Sequence, residues 1–241
     1  MKNIALTLAS LWLALAHAPQ AMAQASCSSD GTPRPVAVFE RFISADCESC
    51  WGDAATPAPS TKAGAVVLDW IVPGKAGDDA PLSAAASTDA LTRLQALGRK
   101  PPISTDVYVT PADLAARGRL RVAHGVAFND YVGTGIAFTP SPAAPQRTAT
   151  ATPLAFYLLL VEAIPAGTDG TVVPRYIVRN QFEGAWPQAQ RPARSKGKPW
   201  AWMETRSMRI PDGAQADRLH LVGWVQDASG SIVAAAQSVC R

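Results

Sequence analysis

Apolar runs and alternating apolar and polar positions divide the chain into two parts with different predicted structures. In the first part, residues 36–43 are rich in β-branched and aromatic side chains, and residues 65–72 form a nearly continuous apolar run. Both features predict strands, and the second is typical of a strand that is covered on both faces. A third strand is predicted over residues 103–109.

Helical signals separate and follow these strands. Residues 88–97 place three leucines on one face, after Ser87 as a capping residue and before Gly98 as a stop. A shorter helix is predicted over residues 110–118. Strands and helices in this order predict an α/β domain over residues 35–118.

From residue 119 onward the apolar positions alternate and no good helix pattern occurs. Strands are predicted over residues 120–128, 131–138, 156–164, 172–182, 200–210, 219–225 and 232–239. A hairpin turn is predicted over residues 227–230, which read DASG. Many short strands of this kind indicate an all-β sandwich over residues 119–241.

The N-terminal residues have the layout of a secretory signal. A lysine near the start precedes an apolar run over residues 4–15, and small residues before position 24 provide a cleavage site. The run is too short for a transmembrane helix, so residues 1–23 are predicted to be removed, with residues 24–34 as an N-terminal segment. Lipidation at Cys27 is an alternative, although the preceding residues match a lipobox poorly. A periplasmic or secreted location without a transmembrane segment is therefore expected.

Export changes the interpretation of the four cysteines, because oxidising compartments permit disulfides. Three pairings are possible, and we expect Cys27 to pair with Cys240 and Cys47 with Cys50. The first bridge would close nearly the whole mature chain and stabilise it by about 5 kcal/mol in the chain-entropy model. The alternative for this pair is two unpaired surface thiols.

The segment ISADCESCWGD places a CxxC pair directly after a predicted strand. At the start of a helix Cys47 would be the attacking thiolate and Cys50 the resolving cysteine, although the prolines in ATPAPSTK limit such a helix to about one turn. A structural disulfide is the main alternative. A zinc site would require a second ligand pair, and only the scattered His124 and His220 accompany the cysteines, so no metal is predicted.

Other chemistry has little support in the sequence. Hydrolase and phosphate-binding motifs are absent, His124 and His220 are expected in the core or at its rim, and no cofactor is predicted. Residues 184–200 place four basic residues between two tryptophans, which is typical of a solvated loop. Anionic lipid or polysaccharide is the alternative ligand of this loop, and an exported protein is not expected to bind nucleic acid. The sequence leaves the oligomeric state open.

A resemblance extends over nearly the whole mature chain. It is carried by FERFISADCESC, AVVLDWIVPG, STDALTRLQALG, NDYVGTGIAF, FYLLLVEAIP, VPRYIVRN and LHLVGWVQDASGSIVAAAQ. These segments resemble a secreted thioredoxin-like family of unknown function from Gram-negative bacteria. The resemblance implies a thioredoxin-like domain followed by a C-terminal β-domain, and it implies no particular substrate.

Departures from the thioredoxin pattern weaken the predicted nucleophile. Asp46, Glu48 and Asp53 surround the cysteine pair, and nearby negative charge disfavours a thiolate at Cys47. Thr105 stands where the fold would place a cis-proline beside the substrate groove, so the groove is expected to be altered.

Two functions are therefore predicted from the sequence. In the first, the protein exchanges disulfides with other envelope proteins through mixed disulfides at the CxxC pair. In the second, it is a non-catalytic binding or assembly protein with a degenerate thioredoxin fold, and the CxxC disulfide is structural.

Overall fold

Strands dominate the computed structural model, which describes residues 27–56, 64–113, 118–140, 153–187 and 202–240. The predicted signal, residues 1–23, lies outside these ranges. The strands are β1 (Cys27–Ser28), β2 (Ala37–Ser44), β3 (Ala65–Val72), β4 (Thr105–Pro111), β5 (Gly118–Phe128), β6 (Tyr131–Pro140), β7 (Leu154–Ile164), β8 (Arg175–Trp186), β9 (Trp202–Arg209), β10 (Leu219–Gln226), β11 (Ile232–Gln237) and β12 (Val239–Cys240). The α-helices within these ranges are α1 (Glu48–Gly52) and α2 (Thr88–Ala96).

The strands form two sheets. The larger sheet has the order β11-β10-β7-β8-β3-β2-β4, and the smaller has the order β12-β1-β5-β6-β9. Strand β3 runs parallel to both β2 and β8, and the other pairings are antiparallel. The pairing of β3 with β8, at Asp69 and Ile177, joins distant parts of the sequence in one sheet.

The predicted fold class, an α/β thioredoxin-like domain followed by an all-β sandwich, is wrong. The described residues are mostly strand, and β2, β3 and β4 continue the same sheet as β7, β8, β10 and β11. The physical reason is that β3 has an unpaired edge after pairing with β2, and β8 satisfies its backbone groups. The division at residue 119 stays a prediction about folding units, since strands from both sides share this sheet.

The two sheets pack face to face in a sandwich-like arrangement around one core. This inter-sheet core includes Val122, Ile136, Leu158 and Leu221, all at most 1% exposed. The sheets approach each other closely at Gly223, where an added Cβ would lie 2.7 Å from a methyl carbon of Val122. A side chain at this position would therefore push the sheets apart.

A second core lies on the other face of the larger sheet, under α2. The Ser87 side chain accepts a hydrogen bond from the backbone N–H of Ala90 at 3.3 Å, so the predicted cap of α2 is confirmed. Arg93 of α2 reaches into this core and forms a bidentate pair with Glu40 at 2.7 Å for both bonds. Both side chains are at most 2% exposed, so the two charges in this core neutralise each other.

Several local predictions can be compared with the structure. The hairpin turn before β11 is confirmed, with the N–H of Gly230 bonded to the carbonyl of Asp227 at 2.9 Å. The short helix over residues 110–118 is wrong at its start: Pro111 ends β4, and the N–H of Asp113 bonds to the carbonyl of Ile232 at 2.9 Å. Pairing with β11 therefore replaces the helical turn. Residues 114–117 lie outside the described ranges.

Candidate functional site

The CxxC pair lies at one end of the larger sheet, where β2 leads into α1. Cys47 is the residue directly before α1, and its N–H bonds to the carbonyl of Ser44 at 3.0 Å. Cys47 and Cys50 form a disulfide, as expected from the sequence. Helix α1 has only five residues, in agreement with the short helix predicted before the prolines, so its dipole contributes little at the sulfur.

Trp51 fixes one side of α1 to the connection between β7 and β8. Its side chain is 5% exposed, and its indole N–H donates to the carbonyl of Asp169 at 2.6 Å. Gly170 packs against the same ring, since an added Cβ there would lie 3.8 Å from it. This side of the helix is therefore covered, and the cysteine pair lies on the side that remains accessible.

Arg175, the first residue of β8, lies directly behind α1. Its Nη2 donates to the carbonyls of Cys50 at 3.1 Å, Trp51 at 2.7 Å and Asp53 at 3.1 Å. The guanidinium also stacks over the Trp51 ring at 5.5 Å. Arg175 is fully buried, so a permanent positive charge is fixed in the turn that carries the cysteines.

A buried ion pair lies near Arg175 in the larger sheet. Arg41 of β2 bonds to Asp69 of β3 at 2.6 Å, and both are at most 1% exposed. Asp69 also accepts from the N–H of Tyr176 at 2.6 Å. Burial raises the pKa of the Asp69 carboxyl, while burial and the Arg41 cation lower the pKa of Arg175. The carboxylates of Asp69 and Asp53 both favour the charged form of Arg175, so its positive charge is partly compensated.

Two of the three acidic residues that the sequence placed around the cysteines, Asp46 and Asp53, are held by backbone groups, whereas Glu48 is exposed. Asp46 accepts from the N–H groups of Lys75 at 2.7 Å and Ala76 at 3.2 Å, so its carboxylate is committed to the neighbouring turn. Asp53 accepts from the N–H of Ala55 at 2.8 Å, and its carbonyl binds Arg175. These contacts compensate part of the negative charge that we expected to disfavour a thiolate.

The two sulfurs have different surroundings. Cys47 is half-buried, and its sulfur lies 3.6 Å from the Ser49 hydroxyl in an exposed contact. Cys50 packs against a small apolar cluster that includes Trp51, Ile71 and Ile177. Both cysteines are half-buried, so exposure does not distinguish the attacking from the resolving role, and these roles stay predictions.

Thr105 lies at the same end of the sheet. It is the first residue of β4 and is paired with Ile43, one residue before the end of β2. The preceding residue, Ser104, accepts from the N–H of Ser44 at 2.9 Å, so the start of β4 is fixed beside the turn that leads to Cys47. Its peptide bond is trans, since the described residues contain no cis peptide. A substrate groove at Thr105 stays a prediction.

The structure keeps the other predicted residues away from this site. Cys27 and Cys240 form the expected second disulfide, which lies in the smaller sheet. His124 and His220 are buried, at 6% and 9% exposure. Most of the basic loop over 184–200 lies outside the described ranges. Within those ranges, no helix has the length and apolar character to cross a membrane.

Comparisons with known proteins give weak similarities only. HBP35 of Porphyromonas gingivalis matches with a TM-score of 0.47 and 12% identity, over 86% of this chain and 76% of that chain. A β-glycosidase from Bacteroides vulgatus matches with a TM-score of 0.28 and 9% identity, over 57% of this chain and 14% of that chain. No protein-family model and no curated protein matches. These similarities are too weak to support a function, so the functional inference depends on the geometry of the site.

The sequence did not identify Arg175 as part of the site. The only signal is a charged residue at the start of an otherwise apolar strand, in VPRYIV. Arg41 in FERF gives the same signal, since an arginine within a buried strand requires a partner. Such residues point to a buried network, but the sequence does not say which loop or helix they contact.

Proposed function

We propose that Cys47 and Cys50 form a redox couple that exchanges its disulfide with thiols of other exported proteins. The observation that carries this proposal is the bond between buried Arg175 and the carbonyl of Cys50. Reduction of the couple creates thiolate, and a fixed cation in the turn stabilises that negative charge. A stabilised reduced form makes the disulfide easier to reduce, which is what an exchanging couple requires.

The proposed exchange proceeds in two steps. A partner thiolate attacks the Cys47 sulfur, a mixed disulfide forms, and Cys50 leaves as a thiolate. The second thiol of the partner, after losing its proton, attacks the partner's own sulfur in the mixed disulfide and releases Cys47. The partner dithiol is thereby oxidised to a disulfide by two electrons, and the couple takes up the two electrons and two protons. With a partner disulfide and a reduced couple, the same steps run in reverse.

The compartment decides which partners are available. Two disulfides in one chain are typical of proteins from oxidising compartments. Together with the secretory signal predicted over residues 1–23, they support a periplasmic or secreted location. The proposed partners are therefore envelope or secreted proteins that contain cysteine.

Trapping of the mixed disulfide tests this proposal. The Cys50→Ala variant lacks the resolving sulfur, so partners should accumulate covalently on Cys47 in envelope extracts and be released by reductant. The Cys47→Ala/Cys50→Ala variant is the matched control and should trap nothing. Mass spectrometry should locate the adduct at Cys47. An absence of adducts, or adducts that also form on the double variant, would contradict the exchange reaction.

The second candidate function is a binding or assembly role in which this disulfide is structural. It is favoured by the packing of Cys50 against the buried apolar cluster around Trp51. In the chain-entropy model, however, so short a loop contributes only about 2 kcal/mol. Under this alternative, the Cys47→Ala/Cys50→Ala variant would lose that stability in urea unfolding, and the couple would have a reduction potential below about −300 mV.

A further inference from the structure

The second disulfide lies next to a histidine at the edge of the smaller sheet. Strand β1 lies between β12 and β5, so Cys27 is paired directly with Cys240 on one side and with His124 on the other. Ligand atoms of these three residues all lie within 4.8 Å of one another. Two sulfurs and an imidazole nitrogen thus converge at one point, away from α1 and the CxxC pair.

The hydrogen bond of His124 fixes which ring nitrogen can bind a ligand. Its Nδ1 lies 2.8 Å from the carbonyl of Gly125, and because a carbonyl only accepts, Nδ1 carries the proton. The lone pair is then on Nε2, which is buried and has no hydrogen-bond partner among the described residues. Metal-binding histidines are oriented in this way, with one ring N–H donated to a carbonyl and the other nitrogen on the metal.

We propose that reduction of the Cys27–Cys240 disulfide creates a zinc site formed by both thiolates and Nε2 of His124. Two thiolates and one neutral imidazole balance the charge of Zn²⁺, so the occupied site is neutral and suits partly buried surroundings. Three protein ligands leave one of the four tetrahedral positions open to water. This site does not depend on exchange activity at Cys47.

The geometry requires only a small rearrangement. Zinc holds sulfur at about 2.3 Å and nitrogen at about 2.0 Å, so the two sulfurs must separate from their bonded positions. Cys240 can make this movement, because β12 is a two-residue edge strand and both of its residues are exposed. Cys27 and His124 are buried and provide the fixed side of the site.

The chemistry of the switch is balanced with a dithiol as the reductant. The dithiol gives two electrons and two protons to the disulfide, so two thiols form and the dithiol becomes a disulfide. Zinc binding then releases the two protons from the thiols. The same two strands are thus joined by a disulfide under oxidising conditions and by zinc under reducing conditions.

The test uses the full chain with Cys47→Ser and Cys50→Ser, which removes the other pair of thiols. After reduction with a water-soluble phosphine, which becomes its oxide and adds no competing thiol, the protein should bind one zinc. Bound Co²⁺ should show thiolate-to-metal charge transfer. A residue that only hydrogen-bonds to a metal ligand typically contributes roughly 10- to 100-fold in metal affinity. The His124→Ala variant removes a ligand itself, so its metal affinity should fall by more than this. Two controls accompany this variant. The His220→Gln variant should bind zinc with unchanged affinity, and the reoxidised protein should not bind zinc.

X-ray absorption of the zinc-loaded protein keeps the proposal testable if His124→Ala fails to fold. The expected shell contains two sulfurs at about 2.3 Å and an imidazole nitrogen at about 2.0 Å. Four sulfurs, which would indicate two chains sharing one metal, would overturn the proposal. So would a shell without imidazole, the absence of zinc binding after reduction, or a folded His124→Ala variant of unchanged affinity.

Discussion

Replacement of Arg175 should change the redox properties of the CxxC pair through its charge. The Cα atoms of Cys47 and Cys50 are 5.3 Å apart, and Nη2 of Arg175 lies 3.1 Å from the Cys50 carbonyl. The guanidinium is therefore on the order of 8 Å from the Cys47 sulfur, a separation at which charges still interact appreciably. At an effective dielectric constant of about 20, one unit charge at this distance stabilises a thiolate by about 2 kcal/mol. For a two-electron couple, that free energy corresponds to about 45 mV. Arg175→Met should therefore make the reduction potential more negative by up to about 45 mV.

Replacement of Arg175 by lysine distinguishes the effect of the positive charge from the effect of the hydrogen bonds. Arg175→Lys keeps the cation but lacks the planar fork that reaches the carbonyls of Cys50, Trp51 and Asp53. Both variants should lose about 1–3 kcal/mol of unfolding free energy, because the buried carbonyl of Trp51 loses its guanidinium donor. Only the methionine variant should shift the potential substantially.

The assay is equilibration of each variant in glutathione buffers, followed by alkylation and mass spectrometry of the peptide that contains Cys47 and Cys50. This readout excludes the Cys27–Cys240 pair. Arg179→Met on the same strand is the matched control: it breaks the ion pair with Glu162 at 2.6 Å and should leave the potential unchanged. The electrostatic reasoning is refuted if Arg175→Lys and Arg175→Met shift the potential equally, or if neither does.

Three further predictions concern stability. Burial lowers the pKa of His220 to about 4, whereas its pKa in the unfolded chain is about 6.5. The contribution of the neutral imidazole to the unfolding free energy is therefore complete above about pH 6.5 and is lost as the pH falls toward 4. Relative to His220→Gln, the wild type should lose about 2.5 kcal/mol between pH 7 and about pH 4.5 in urea unfolding, and parallel curves would contradict this. Gly223→Ala should lower the unfolding free energy by about 1–3 kcal/mol, because the added methyl group pushes the sheets apart. Gly133→Ala should be nearly neutral, because the space around its Cβ is open, and equal effects of the two substitutions would contradict the close approach at Gly223. Arg93→Met should cost about 3–5 kcal/mol, because the buried Glu40 carboxylate loses its counter-ion and keeps only the bond from the Trp70 indole. Adding Glu40→Met should recover part of this loss, and a loss below about 1 kcal/mol for the single variant would contradict the prediction.

Local structure could be predicted well from the sequence where the signal is local. The Ser87 cap, the DASG turn and the short helix after Cys47 each depend on a few neighbouring residues, and each occurs in the structure. The compartment and the four cysteines allowed three disulfide pairings, and the expected one, with Cys27 bonded to Cys240, is confirmed.

Pairing between distant strands could not be predicted in the same way. The segments AVVLDWIV and VPRYIVRN each predict a strand, but they do not predict that Asp69 pairs with Ile177. Parallel pairing of strands that are far apart in the chain has no short sequence signature. The predicted fold class, an α/β thioredoxin-like domain followed by an all-β sandwich, is wrong for this reason. The site was incomplete for the same reason, since Arg175 reaches Cys50 only through that pairing.

Asp46 shows how charge counted along the sequence differs from charge in space. Its position next to Cys47 predicted an unfavourable effect on the thiolate, but two backbone N–H groups bind its carboxylate. Arg175 is 125 residues from Cys50 in sequence and yet bonds to its carbonyl. The electrostatics of the site therefore depend on the fold more than on the residues within the motif.

The reduction potential of the Cys47–Cys50 couple in the intact protein tests the central claim most directly. A couple that exchanges with exported proteins should lie between about −270 and −120 mV, the range of protein dithiols that exchange disulfides. A value below about −300 mV would show that the disulfide is a stable structural bridge, and the proposed redox function would be wrong.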